Sequence, residues 1–255
     1  YLALALSAAL LATACGKKAA TEAPAVATKV TPSNAKQPAA KTAPAKSPKA
    51  APQPAAATLT VPPIKKPAVA PPPPVIAKVG DYAPDFLLPS TDGQEVRLSD
   101  HKGQIIVLEW FNPDCPFVRH AHTKGALKTM ARDWSAKGVF WIAINSGAKG
   151  MQGHGQKVNA TALETWGLDH PVLLDESGMV GRKYGADHTP HVFVIDGLGK
   201  VRYSGAVDNM PFGELNEPKA VPTPYLKHAI EAVGRGQDPA IPQTKSWGCS
   251  VKYAK

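Results

Sequence analysis

Residues Gln104–Phe111 (QIIVLEWF) form a nearly continuous apolar run. Such a run fits a central β-strand covered on both faces better than an edge strand or an amphipathic helix. It ends at Asn112-Pro113-Asp114, and Cys115-Pro116 follows. Proline suits the first turn of a helix, where its missing N–H costs nothing, so the pattern places Cys115 at or beside a helix N-cap. Unpaired N–H groups and the helix dipole at that position favour a thiolate, the nucleophilic form of cysteine. Arg119, one turn on, adds positive charge on the same side, and Asp114 works against it.

The rest of the chain from Asp81 alternates strand and helix signals. Asp85–Leu88 reads as a strand entering the turn Ser90–Gly93, and Val96–Leu98 alternates as a second strand. A single helix is expected from Pro116 to about Ala136, with Val118, Leu127, Met130, Ala131 and Trp134 on its inner face. Val139–Ile144 (VFWIAI) is a second buried strand. A helix over Ala160–Trp166, a strand over Pro171–Leu174 and a short helix over Met179–Tyr184 follow. Val192–Ile195 and Val201–Tyr203 flank the turn Asp196–Gly199 as a hairpin, and Tyr225–Val233 is the last helix. This order predicts an α/β domain of three layers, a central mixed sheet flanked by helices. Trp110, Trp134 and Trp141 are assigned to its core, and His154 and His170 to loops.

Charge separates the chain into unlike parts. The net charge is +9, yet ten of the 29 Lys and Arg and only Glu22 of the 20 acidic residues precede Asp81, so the folded part is balanced. A nucleic-acid domain would carry its basic patch on the folded part, which excludes that class. Residues 16–79 are rich in Ala, Pro, Lys and Thr with four prolines at Pro71–Pro74, a composition expected to be a disordered, partly polyproline II linker. Residues 1–15 contain a Leu/Ala run too short to span a bilayer, of the length of a signal-peptide core. The run ends at Ala12-Thr13-Ala14-Cys15-Gly16, which resembles a bacterial lipoprotein signal with Cys15 as the lipidated residue. The implied location is extracytoplasmic, at the periplasmic or cell-envelope side, with the membrane reached through a lipid anchor or the basic tail.

The three cysteines, Cys15, Cys115 and Cys249, form no C-x-x-C and no paired metal-ligand spacing. A second signal lies at Asp187-His188-Thr189-Pro190, just before a strand. Cys-Pro at a helix start and Thr-Pro about 75 residues later resemble thioredoxin-fold proteins. The similarity is greatest to the peroxiredoxin-like redoxin (AhpC/TSA-type) group, on Asn112–Val118 and the ending Gly248-Cys249-Ser250-Val251-Lys252. It covers residues 80–255. The resemblance implies a thioredoxin-like fold, a cis proline at Pro190 packed against Cys115, and thiol–disulfide or peroxide chemistry, with no cofactor.

Departures from the family narrow this. The position of the usual second motif cysteine is Val118, and the peroxide-binding Pro and Thr are replaced by Leu108 and Asn112. What remains is a thiol oxidoreductase acting through a single nucleophile, Cys115. His188 and Arg119 tune it, and Thr189-Pro190 shapes a groove for a substrate chain, a small disulfide or a peroxide. Cys249 is either a resolving partner on a flexible C-terminus that folds back, or an idle terminal thiol. Asp187-His188-Thr189 also resembles the histidine element of Sco-type copper proteins, which leaves open a copper site at Cys115 and His188 that would need a third ligand. His120 and His122, at i and i+2, do not face one way on a helix.

Overall fold

The computed structural model describes residues 76–215, 217 and 219–255. The signal-like segment, Cys15 and the linker as far as residue 75 lie outside the described residues. The described chain is already docked at its start: Ala77 is buried and its N–H donates to Lys183 O at 2.8 Å.

A hairpin opens the fold, β1 (Leu87–Pro89) antiparallel to β2 (Glu95–Arg97). Leu98, expected to extend the second strand, instead starts a 3₁₀ turn over Leu98–His101. The apolar run then forms β3 (Ile106–Trp110), buried at every position. The single helix expected after it is two, α1 (Pro116–Thr123) and α2 (Leu127–Ser135). The break has a local cause at Gly125, where a Cβ would lie 3.0 Å from the Ala121 Cα. Only glycine permits so close an approach of the turn to the helix it leaves.

β4 (Phe140–Asn145) is followed by α3 (Gln156–Trp166), which begins four residues before the expected start, directly after Gly155 at φ 101°. β5 (Val172–Leu174), α4 (Met179–Tyr184), β6 (His188–Thr189), β7 (His191–Ile195), β8 (Val201–Gly205) and α5 (Tyr225–Gly234) complete the domain as far as the C-terminal segment. The last element, β9 (Cys249–Ser250), pairs antiparallel with β6.

The central sheet has the spatial order β5-β4-β3-β7-β8, with β3, β4 and β5 parallel and β7 and β8 antiparallel to their neighbours. Alternation along β3 sorts its side chains between two cores. Ile106, Leu108 and Trp110 join Ile142, Ile144, Phe193 and Ile195 beneath α4 and the β1–β2 hairpin. Val107 joins Trp141, Val192 and Val194 beneath α2 and α5, and Ala143 and Val172 lie under α3. Leu108, Ile142, Ile144 and Phe193 are all fully buried, each worth about 1.5–3 kcal/mol. The expected three-layer, thioredoxin-like architecture is therefore present. Trp110 and Trp141 are core residues, and Trp134 packs partly buried against the second core.

One residue of β3 breaks the apolar pattern. Glu109 is fully buried and faces α1, where its carboxylate lies 2.7 Å from His122 Nε2 and accepts the Trp141 Nε1–H at 3.2 Å. Burial pushes this carboxyl up, but the facing His122 and the two hydrogen bonds outweigh it and leave it below its ordinary value. The pair ties the centre of the sheet to the last turn of α1. His120, two residues away, faces Phe212 instead, in line with the i, i+2 argument.

Candidate active site

Cys115 is the N-cap of α1, with φ −76° and ψ 121°, and Pro116 is the first helical residue. The backbone closes around it on both sides: its N–H donates to Asn112 O, and Arg119 N–H donates to Cys115 O, each at 3.0 Å. The preceding turn is clamped to the loop after β4. Asn112 Oδ1 accepts the Asp114 N–H at 3.0 Å while its amide donates to Gln152 O at 3.2 Å. The Asp114 carboxylate accepts the Gly153 N–H at 3.0 Å. The charge expected to oppose a thiolate is thus engaged by the loop. At Gly153, with φ 76°, an added Cβ would lie 2.0 Å from Asn112 Oδ1 and would displace the amide that makes these bonds.

The sulfur itself is fully buried among Phe111, Val118, Ala143, Ala162 and Val172. Its S–H donates to the carbonyl of Thr189 at 3.2 Å, directly before the cis Thr189–Pro190 bond. The cis bond expected at Pro190 is present, and Cys115 meets the chain at the residue directly before it.

What covers Cys115 is the chain's own C-terminus. In the β6–β9 ladder Thr189 stands opposite Cys249 and His188 opposite Ser250. Gly248, at φ 122°, lies so close that a Cβ there would come within 2.1 Å of Thr189 O, the atom that receives the Cys115 thiol. Cys249 packs on the cluster that holds Cys115, and both cysteines are free thiols. Burial pushes the Cys249 thiol up to about 12, with the hydrogen bond and charge of Cys115 acting the same way and Lys252 acting against them. Both cysteines thus lie against Thr189, Cys115 through its thiol and Cys249 through the β6–β9 ladder. The C-terminus is not the flexible segment expected from sequence.

Contacts on both sides of Cys249 hold this strap. Ser246 donates to Asp187 Oδ1 at 2.6 Å, and the same oxygen lies 3.0 Å from Nδ1 of both His188 and His191. The His191 hydrogen bond, stronger than the opposing burial and joined by Ser246 and His188, holds the Asp187 carboxyl well below the usual carboxylate range. Val251 N–H donates to Asp187 O at 3.0 Å and Ala148 N–H to Lys252 O at 2.8 Å. Tyr253 donates to Ala186 O at 2.7 Å beneath the Arg182 guanidinium. Trp247 donates to Asp208 O at 2.7 Å, with its ring 6.0 Å from that of Phe117.

Thr189 contacts Cys115 and Cys249 stands opposite Thr189, while the recorded contacts of the other expected residues lie elsewhere. Arg119 is exposed and, among the described residues, its side chain makes no hydrogen bond or ion pair. The outward face of α1 carries it away from the sulfur. His188 serves the strap through Ser246 and Asp187, while the thiol's hydrogen bond goes to Thr189 O. Among the described residues no group of three or more His, Cys, Asp or Glu is placed to hold a metal ion. Asp187, Gly248 and Lys252 lay inside the sequence motifs without an assigned role, and Ser246 was missed by sequence reasoning. Gly directly before Cys249 was the available signal, since a close backbone approach demands it.

The Redoxin family profile matches residues 78–220. The chain belongs to the Redoxin family. The matched span includes β3, Cys115 and Thr189-Pro190 and stops short of the strap. A thiol-disulfide oxidoreductase ResA of Geobacillus thermodenitrificans is 32% identical over 126 residues, covering 49% of this chain and 67% of that protein. The Bacillus subtilis protein of the same name is 28% identical over 122 residues, with coverages of 48% and 64%. Among solved structures, an uncharacterized conserved protein from Geobacillus kaustophilus aligns with a TM-score of 0.62 at 30% identity. That alignment covers 70% of this chain and 94% of that one. A hypothetical protein from Sinorhizobium meliloti aligns at 0.61 and 28%, covering 69% and 95%.

Proposed function

We propose that this Redoxin-family chain is a thiol–disulfide oxidoreductase whose redox couple is Cys115 with Cys249. The observation that carries the proposal is the convergence of the two free thiols beside Thr189, one from a helix start and one from the strap. The ResA relatives, named as thiol-disulfide oxidoreductases, support the same class. Cys115 keeps the helix-start position that marked it in the sequence. Its complete burial against Cys249 favours a pair over a lone attacking thiol.

In the reducing direction the two cysteine thiols become one disulfide, and two electrons and two protons pass to a substrate disulfide, which leaves as two thiols. The opposite direction is the same exchange reversed. The substrate is a protein or small-molecule disulfide or thiol. Peroxide is the weaker candidate, because Leu108 and Asn112 stand where peroxide chemistry uses Pro and Thr. The setting is extracytoplasmic: the Leu/Ala run before Cys15 supports export, with Cys15 as lipid anchor, and no helix among the described residues is long and apolar enough to cross a membrane.

The test is intact mass after exposure to oxidised glutathione, on the native chain and on Cys115→Ser and Cys249→Ser. The native chain is expected to lose the mass of two hydrogens, with Cys115 and Cys249 joined in the peptide map. Each single variant is expected to hold only a glutathione adduct. A native chain that stays fully reduced while a folded control dithiol is oxidised would sink the proposal.

A further inference from the structure

The two sulfurs of this couple are not equally placed. Cys115 is fully buried with apolar side chains behind it, whereas Cys249 lies half-buried on the strap, next to exposed Ser250. Thiol–disulfide exchange is an in-line displacement, in which the attacking, central and departing sulfurs lie nearly in a row. Once Cys115 and Cys249 are joined, an attack on Cys115 has to come from the side opposite Cys249. Cys115 is fully buried in a cluster with Phe111, Val118, Ala143 and Val172, so no side of it is open to an incoming thiolate. Cys249 is partly exposed, so an attacking thiolate can reach it from solvent.

Resting on the dithiol proposal above, we propose that Cys249 is the sulfur that exchanges with substrate, and that Cys115 is the interior partner that departs from it or returns to it. The order is the reverse of the one expected from the helix-start motif. In the oxidising direction a substrate thiolate attacks Cys249 Sγ and forms the mixed disulfide. The Cys115–Cys249 bond breaks and its electron pair stays on Cys115. Cys115 leaves as a thiolate at the N-terminus of α1, takes a proton from water, and restores the S–H donated to Thr189 O. A second substrate thiolate then attacks the substrate sulfur and releases Cys249, which takes the second proton. The substrate ends as a disulfide and the protein as a dithiol.

Two further features suit this order. The Lys252 ammonium donates to Ser250 Oγ at 3.3 Å, which places a positive charge on the strap next to the residue that follows Cys249. The strap also need not leave. Its bonds at Ser246, Val251, Lys252 and Tyr253 stay made while its outer sulfur reacts.

The experiment uses the full chain oxidised to the Cys115–Cys249 disulfide, treated briefly with reduced glutathione, quenched in acid before adducts migrate, and mapped by peptide mass. Glutathione is expected on Cys249, with Cys115 recovered as a free thiol. Glutathione on Cys115, or a disulfide in the folded protein that glutathione does not open, overturns the assignment and leaves the dithiol couple standing. Failure to form the disulfide at all overturns both.

Discussion

Gly248→Ala separates the strap from the domain beneath it. At this position an added Cβ lies 2.1 Å from Thr189 O and 2.8 Å from Thr189 C, and both are backbone atoms with no rotamer to retreat into. Ordinary contact begins near 3.4 Å, so β6 and β9 must part by more than 1 Å. The φ of 122° adds a conformational penalty that alanine cannot avoid. Backbone strain of this kind costs about 1–3 kcal/mol, and overpacking a tight contact about as much again. The penalty has a ceiling, because the strap can peel away while the five-stranded sheet stays folded. The total loss therefore cannot exceed the strap's own docking free energy.

The expected result is a modest fall in thermal midpoint with a large rise in the alkylation rate of Cys115 under native conditions. A global loss of about 1–3 kcal/mol lowers the midpoint of a domain this size by roughly 2–12 °C. Gly236→Ala is the control for conformation alone, since Gly236 has φ 70° with open space around its Cβ direction. It should lose stability without exposing Cys115. If Gly248→Ala leaves Cys115 as unreactive as in the native chain, the strap does not cover the site as described, and the reasoning fails.

Two more predictions concern the buried polar groups. His122→Leu strips Glu109 of its pair and leaves a fully buried carboxylate with only the Trp141 N–H, which should cost about 3–5 kcal/mol in urea unfolding. The double change His122→Leu/Glu109→Met should recover most of that loss, and a double variant no better than the single one would show that the cost is packing. His170 is buried with its Nε2 unpartnered among the described residues, and burial, the largest cause, pushes its pKa from 6.5 down to about 4. The unfolded chain therefore binds this proton first, so stability is full above pH 6.5 and falls as pH drops toward 4, by about 3 kcal/mol. Urea midpoints of the native chain and His170→Phe across that range check it, and equal slopes would assign the acid sensitivity elsewhere.

The sheet was legible because its strands are fully buried: a continuous apolar run such as Gln104–Phe111 has few other places to go. Cys115-Pro116 and Thr189-Pro190 were legible because proline constrains the backbone locally. The break between α1 and α2 was harder, since Gly125 is a single residue within an otherwise good helical pattern, and its effect depends on contact with Ala121. Glu109 and His122 are separated by thirteen residues, and their pairing exists only once α1 lies across β3. The strap was the least legible element. Its two-residue strand carries no periodicity, and what fixes it (Asp187, Ala186, Ala148 and Thr189) is spread over other elements.

On the proposed dithiol couple, the strap supplies the sulfur that the helix motif lacks. Val118 occupies the second motif position, fully buried in the cluster that holds Cys115. In a two-cysteine helix motif the inner sulfur sits one turn into the helix and the outer one at its start. Here the inner site is apolar, and the sulfur at the helix start has itself become the inner one, because β9 lies over it. The outer sulfur is supplied by the strap. In the couple proposed above, this places Cys115 in the departing role and Cys249 in the exchanging role. This arrangement binds the redox couple to strand pairing: anything that frees the strap also separates the sulfurs, so loss of the β6–β9 ladder would abolish disulfide formation even with both cysteines intact.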